Sequence, residues 1–102
     1  MRTHHRRLRF RKGEDRSLYL HWRLGDTYVV PTEATMVMQD ASGTRSTTAS
    51  IDTNGVMLFS WTGATIATWP GPGAFEVHVT ANGQTTIPLA GEFVVEGTLL
   101  YP

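Results

Sequence analysis

Glu76 and His78 stand two residues apart in a stretch, residues 74–80, that alternates apolar and polar side chains, so both fall on one face of a strand. A carboxylate beside an imidazole is the minimum for an acid–base pair or for two ligands of a metal ion. The same spacing also describes two solvated side chains on the outer face of a half-buried strand, and no third group accompanies them. Asp52 and Asn54 offer a second oxygen pair, but a calcium loop needs further carboxylates at fixed offsets, and Asp52-Thr53-Asn54-Gly55 has none. A chain reversal is the expectation there, because Asn-Gly is among the strongest hairpin signals. His4-His5 is an adjacent pair without a partner at metal-ligand spacing. No serine sits in a strand–turn–helix elbow with a histidine and an acid, and no glycine-rich loop cradles a phosphate. The chain has no cysteine, which removes thiolate nucleophiles and disulfides together. With no assembled nucleophile, base and charge-stabilising group, neither catalysis nor a metal or cofactor is expected.

The stronger chemical signal is the distribution of charge. Six of the nine basic residues (Arg2, Arg6, Arg7, Arg9, Arg11 and Lys12) fall in the first twelve positions, which hold no acid. Three basic and nine acidic residues remain beyond them, so a segment of +6 adjoins a body of −6. Three readings compete: a solvated, mobile terminus; an arm whose guanidinium groups dock on carboxylates of a neighbour; and a nucleic-acid contact. The acidity of the body and the lack of interleaved aromatics beyond Phe10 argue against the last. A docking arm would use Arg2, Arg6, Arg7, Arg9 and Arg11. Among the tryptophans, Trp22 and Trp61 lie in strand patterns whose parity allows burial. Trp69 precedes Pro70-Gly71-Pro72-Gly73 and is the candidate for exposure, as an interface anchor or a sugar platform.

These residues need elements to hold them. The organising stretch is 55–79, with a mostly apolar strand at 56–61 and a cleanly alternating one at 74–80 that turns Phe75, Val77 and Val79 to one side. Between them the two prolines and two glycines of residues 70–73 stop any helix or sheet. Upstream, residues 17–24 put Leu18, Leu20, Trp22 and Leu24 on one face, and 35–39 form the next strand, closed by the turn tetrad Asp40-Ala41-Ser42-Gly43. Residues 44–51 are β-branched but nearly free of large apolar side chains, which suits an edge strand, with Arg45 as a charge that discourages edge-to-edge pairing. Thr62 is an N-cap candidate for one helical turn. Asn82-Gly83 marks a second hairpin, and Pro88 with Gly91 argues for an edge or a bulge before Phe93 and Val95 turn inward. About seven short strands joined by tight turns predict an all-β, antiparallel, immunoglobulin-like sandwich. Its bounds would be residues 13–97, with a basic arm at 1–12 and a short tail at 98–102. At 102 residues one core suffices without disulfides. No apolar run reaches the roughly 18 residues of a membrane span, and no apolar segment follows the basic start as in a secretory signal, so a soluble chain made in a cytoplasm is expected.

The order of motifs carries a resemblance. Phe10-Arg11-Lys12-Gly13-Glu14-Asp15 leads into an alternating strand, then come Asp40-Ala41-Ser42-Gly43, Gly55-Val56 through Ser60-Trp61-Thr62, Pro72-Gly73-Ala74-Phe75-Glu76-Val77, the Asn82-Gly83 hairpin and Gly91-Glu92-Phe93-Val94-Val95. Over most of residues 8–97 this resembles the immunoglobulin-like domain of tailed-phage virion proteins, above all the N-terminal domain of upper-baseplate proteins and related small minor tail proteins. The resemblance implies a non-enzymatic structural protein of a phage tail, baseplate or connector, assembled in the host cytoplasm and repeated by the symmetry of the particle. Its partners would be other virion proteins. Eight arginines against one lysine fit a GC-rich genome. A glycan-binding or host-recognition sandwich is the alternative, and exposed coplanar aromatics on one face would favour it.

Overall fold

The computed structural model describes residues 3–24 and 26–102. In chain order they form β1 (His4–Arg11), β2 (Arg16–His21), β3 (Arg23–Leu24), β4 (Thr27–Tyr28), β5 (Glu33–Asp40), β6 (Gly43–Thr48), β7 (Ser50–Ile51), β8 (Val56–Trp61), a single helical turn α1 (Gly63–Ile66), β9 (Gly73–Ala81) and β10 (Gln84–Glu96). The strands of six residues or more number seven: β1, β2, β5, β6, β8, β9 and β10. One sheet runs β1-β10-β9-β5-β6 and a second β2-β8-β7, while β3 and β4 make a separate two-stranded ribbon. The fold is therefore the expected immunoglobulin-like sandwich, antiparallel throughout except that β1 joins β10 in parallel.

Alternation along the strands fills the space between the sheets. From β9 come Phe75, Val77 and Val79, from β5 Ala34, Met36 and Met38, from β8 Met57, Phe59 and Trp61, all at most 6% exposed. Aromatic rings close one end of this core. Phe10 meets Trp61, Trp69 and Phe93 edge-on, at centroid distances of 5.0, 4.9 and 6.0 Å, which sets the positive ring edges against negative ring faces. Thr62 caps α1 as expected, its side chain accepting the Thr65 N–H, and the turn exists to bury Ile66.

Two turns and a bulge follow from their residues. Asp52 Oδ1 accepts the N–H groups of Asn54 and Val56 at 2.9 Å each, which leads the chain from β7 into β8 with Gly55 at φ 88°. In the β9–β10 hairpin Asn82 and Gly83 both have positive φ, 52° and 76°, as a type I′ turn requires. Gly83→Val should destabilise the protein by about 1 kcal/mol or more, since a β-branched residue resists that region; thermal unfolding with no shift would contradict the turn assignment. Pro88 lies at a register shift between Thr86 and Leu89, so β10 bulges there and can remain interior to its sheet.

Two readings of the chain are corrected. Over the described residues the basic run is not an arm outside the sandwich: residues 4–11 are β1, register-paired from His4↔Leu89 to Arg11↔Glu96, with Leu8 and Phe10 in the core. Apolar residues alternating with arginines gave this run an inward face, and burying Phe10 overrides the tendency of a charged terminus to stay in water. Residues 44–51 are not one strand either. The chain leaves β6 at Thr48, bonds Ala49 N–H to the Ala34 carbonyl, and enters the other sheet as β7.

The β5–β6 turn also turns Arg45 inward. Its guanidinium lies 2.7 Å from Asp40 Oδ2, donates to Ser42 Oγ at 2.9 Å and sits 5.1 Å from the Trp69 ring centre. Asp40 in turn accepts the Ser42 hydroxyl and N–H, and with Arg45 beside it these hold its carboxyl below the usual aspartate value of 3.8. A lowered folded-state pKa contributes stability above the unfolded value and loses it as pH falls through the folded one. Asp40→Asn should therefore cost about 1–2 kcal/mol at neutral pH, and its deficit relative to the parent should shrink in urea titrations at decreasing pH below about 3.8. An equal deficit at pH 7 and pH 2 would contradict this role.

Candidate functional site

On β9, Glu76 and His78 share the outer face of the large sheet, and Glu76 Oε1 lies 3.1 Å from His78 Nε2. They are 54% and 35% exposed; Glu76 lies between Ala90 of β10 and Val37 of β5, and His78 lies beside Thr35 of β5, so the pair faces water. The geometry holds a hydrogen bond, and among the described residues no third ligand converges on it. Among the described residues no three His, Cys, Asp or Glu side chains gather to hold a metal ion. Asp52 Oδ1, the other candidate ligand, is already engaged by two backbone N–H groups. The hollows on the outer face are shallow; one is lined by His5, Arg6, Arg7, Gly91 and Glu92, another by Val37, Gln39, Ala74, Phe75 and Glu76.

The basic residues have a different setting from the one expected. Arg2 lies outside the described residues. Arg6, Arg7, Arg9 and Arg11 are all exposed on β1, the edge strand of the large sheet, where the backbone fixes their spacing. Arg9 Nε pairs with Glu96 at 2.8 Å, and Arg11 approaches Glu14 at 3.8 Å. Arg6 and Arg7 have no carboxylate within 4.0 Å among the described residues. An exposed pair such as Arg9–Glu96 contributes about 1 kcal/mol or less, so this row is held by the burial of Leu8 and Phe10 and not by its charges.

Trp69 corrects the expectation of an exposed platform. It is 2% exposed, packed on Phe10, Trp61 and Phe93 and covered by Arg45, and cannot reach a sugar or a partner. Trp61 is buried and Trp22 is packed against the core at its margin. The aromatics that do face water are Tyr19 at 66% and Tyr28 at 51%, with Tyr101 at 43% on the C-terminal turn. Tyr28 stacks on His21 at 3.6 Å between centroids, and the Arg23 guanidinium lies 5.7 Å from the centre of the same Tyr28 ring. Tyr19, His21 and Arg23 share the strand parity opposite Leu18, Leu20 and Trp22, and alternation alone places all three outward.

Arg16 was also missed. Its Nε donates to the Arg9 carbonyl of β1 at 3.3 Å and its Nη1 to the Ser17 carbonyl of β2 at 2.7 Å, so one guanidinium links the facing edges of the two sheets. Beyond β10, Tyr101 packs against Gly13, while Leu99 and Leu100 are 102% and 86% exposed. No helix among the described residues is long and apolar enough to cross a membrane. No protein-family model matches the chain, and no curated protein matches it significantly.

Proposed function

We propose that this chain is a non-enzymatic structural protein of a bacteriophage particle, in its tail, baseplate or connector, where it joins neighbouring virion subunits in symmetric copies. The motif order described above supplies the virion reading. The observation that carries a contact role is the row of arginines on β1: charges fixed at strand spacing on a sheet edge present a rigid template to an acidic neighbour, without the ordering entropy that a mobile tail would lose. Arg6 and Arg7, which alternate to opposite faces of this edge strand, are the residues offered to that neighbour, since Arg9 is engaged within the chain. Planar guanidinium groups can take carboxylates bidentately, which lysine cannot reproduce.

The test is to locate the protein in assembled particles by imaging or cross-linking, and to follow incorporation of the Arg6→Glu/Arg7→Glu variant at low and high salt. The variant is expected to fold, judged by circular dichroism, and to incorporate at least about tenfold less well at low salt, with the parent itself weakening as salt rises. Equal incorporation of parent and variant at both salts would remove β1 as the contact. A glycan-binding or host-recognition role is the second reading, favoured by exposed Tyr19 and the Tyr28–His21 stack. Binding to surface polysaccharide of the host, abolished by Tyr28→Ala, would select it.

A further inference from the structure

Among the described residues the sandwich has three edge strands of six residues or more, β1, β2 and β6, and they are not equivalent. β1 carries arginines along its length, and its Arg9 carbonyl is taken by Arg16. β2 has its Ser17 carbonyl taken by the same guanidinium. β6, at the opposite edge of the large sheet, has no such cover: among the described residues no side chain and no backbone group outside the β5 pairing bonds to its main chain. Its pairing with β5 runs without a bulge from Thr35↔Thr48 to Asp40↔Gly43, so the edge is regular over its full length. Its outward side chains are Thr44, Ser46 and Thr48, neutral, short and exposed. Natural edges are blunted by bulges, prolines or charges. The single charge on this one, Arg45, is drawn inward and already matched by Asp40 and Ser42.

We infer that β6 is a self-pairing edge, through which two copies of this chain join antiparallel about a two-fold axis and merge their five-stranded sheets into one. A copy of the same strand is the favoured occupant for two reasons. Bringing two β1 edges together would oppose rows of arginine, whereas two β6 edges bring no net charge into apposition. Parity also leaves a compatible register. In an antiparallel pair, residues directly opposite point to the same side of the sheet, so a strand pairing with itself must centre on a residue. Centring on Ser46 sets Thr44 opposite Thr48 of the second copy and Arg45 opposite Thr47, which lines hydroxyls against hydroxyls and keeps the arginines apart. Centring on Arg45 would oppose two guanidinium groups. The contact is isologous and closes at two copies. It stands on the sheet edge alone, so its failure would leave the virion reading untouched.

Sedimentation of the full chain from micromolar concentration to about 1 mM tests this directly, that upper limit being where even a weak specific pair is half associated. The parent is expected to dimerise reversibly, and amide exchange at high concentration should slow in β6 but not in β1. Ser46→Lys and Ser46→Glu each place like charges opposite one another at the axis and should each weaken association at least about tenfold, whereas an equimolar mixture should associate again as Lys against Glu. Melting curves of the two variants report whether each is folded. A parent that stays monomeric up to about 1 mM, a dimer whose exchange protection lies elsewhere, variants that associate like the parent, or a mixture of folded variants that stays dissociated would each overturn the proposal. If neither variant folds, the exchange pattern of the parent decides alone.

Discussion

Replacing Trp61 by alanine is expected to lower the unfolding free energy by about 3–5 kcal/mol, a large share of the 5–15 kcal/mol typical of a domain. The indole is 6% exposed and is the piece that ties three parts of the fold together. Its ring meets Phe10 of β1 at 5.0 Å and Trp69 after α1 at 6.3 Å, and lies parallel to Phe59 of its own strand at 6.4 Å. Its Nε1–H donates to Thr47 Oγ1 of β6 at 2.9 Å, so truncation leaves a void and also removes a link between the two sheets. Trp61→Phe separates the two contributions. It keeps most of the apolar volume and should cost less, with about 1 kcal/mol of its loss attributable to the missing hydrogen bond. Urea denaturation of the three proteins measures both steps, and an alanine variant within about 1 kcal/mol of the parent would show that this cluster does not hold the sheets.

The second large effect is expected from Gly91→Ala, which should cost about 3 kcal/mol or more, although it adds one methyl group. Gly91 lies opposite Arg6 where β1 runs beside β10, and a Cβ there would strike the Arg6 carbonyl. Backbone cannot step aside as a flexible side chain can, so β1 must separate from β10, and with it Leu8 and Phe10 would leave the core. The expected signature is specific: amide protection lost along β1 while β5 and β9 remain protected, and tryptophan emission shifted to the red as Phe10 uncovers Trp61 and Trp69. Unchanged protection in β1 would mean that the strands do not approach so closely. The experiment bears on function too. A variant with folded β5–β9 but a detached β1 should lose any contact that needs the arginines as a rigid row, which a solvated tail would not.

The central strands and the turns were legible in the sequence because both are set within a few residues. Alternation at residues 74–80 gave the inward face of β9, Asn82-Gly83 its positive dihedrals, Thr62 the cap of α1, and Pro88 an edge or a bulge, of which β10 has the bulge. Such features depend on periodicity, side-chain bulk and missing backbone donors, none of which requires a distant partner. What a strand pairs with, and how deep a side chain lies, is decided by residues far away in the chain. The run Arg6 to Arg11 carried its inward pair, Leu8 and Phe10, in plain alternation, yet net charge dominated its reading, since the pocket that takes Phe10 is built from Trp61, Trp69 and Phe93. Trp69, flanked by loop-forming residues, is buried for the same reason: proline and glycine fix where a chain turns, and say nothing of whether the turn faces water. Arg45 points inward because Asp40, across a tight turn, and the Trp69 ring, far along the chain, offer it a better setting than the edge does. Residues 44–51 read as one polar strand at an edge, which holds for residues 43–48, while residues 50–51 join the other sheet. Only the tertiary structure decided that this edge is open, because that depends on where Arg16 caps and where Arg45 turns, and both are set by contacts between sheets.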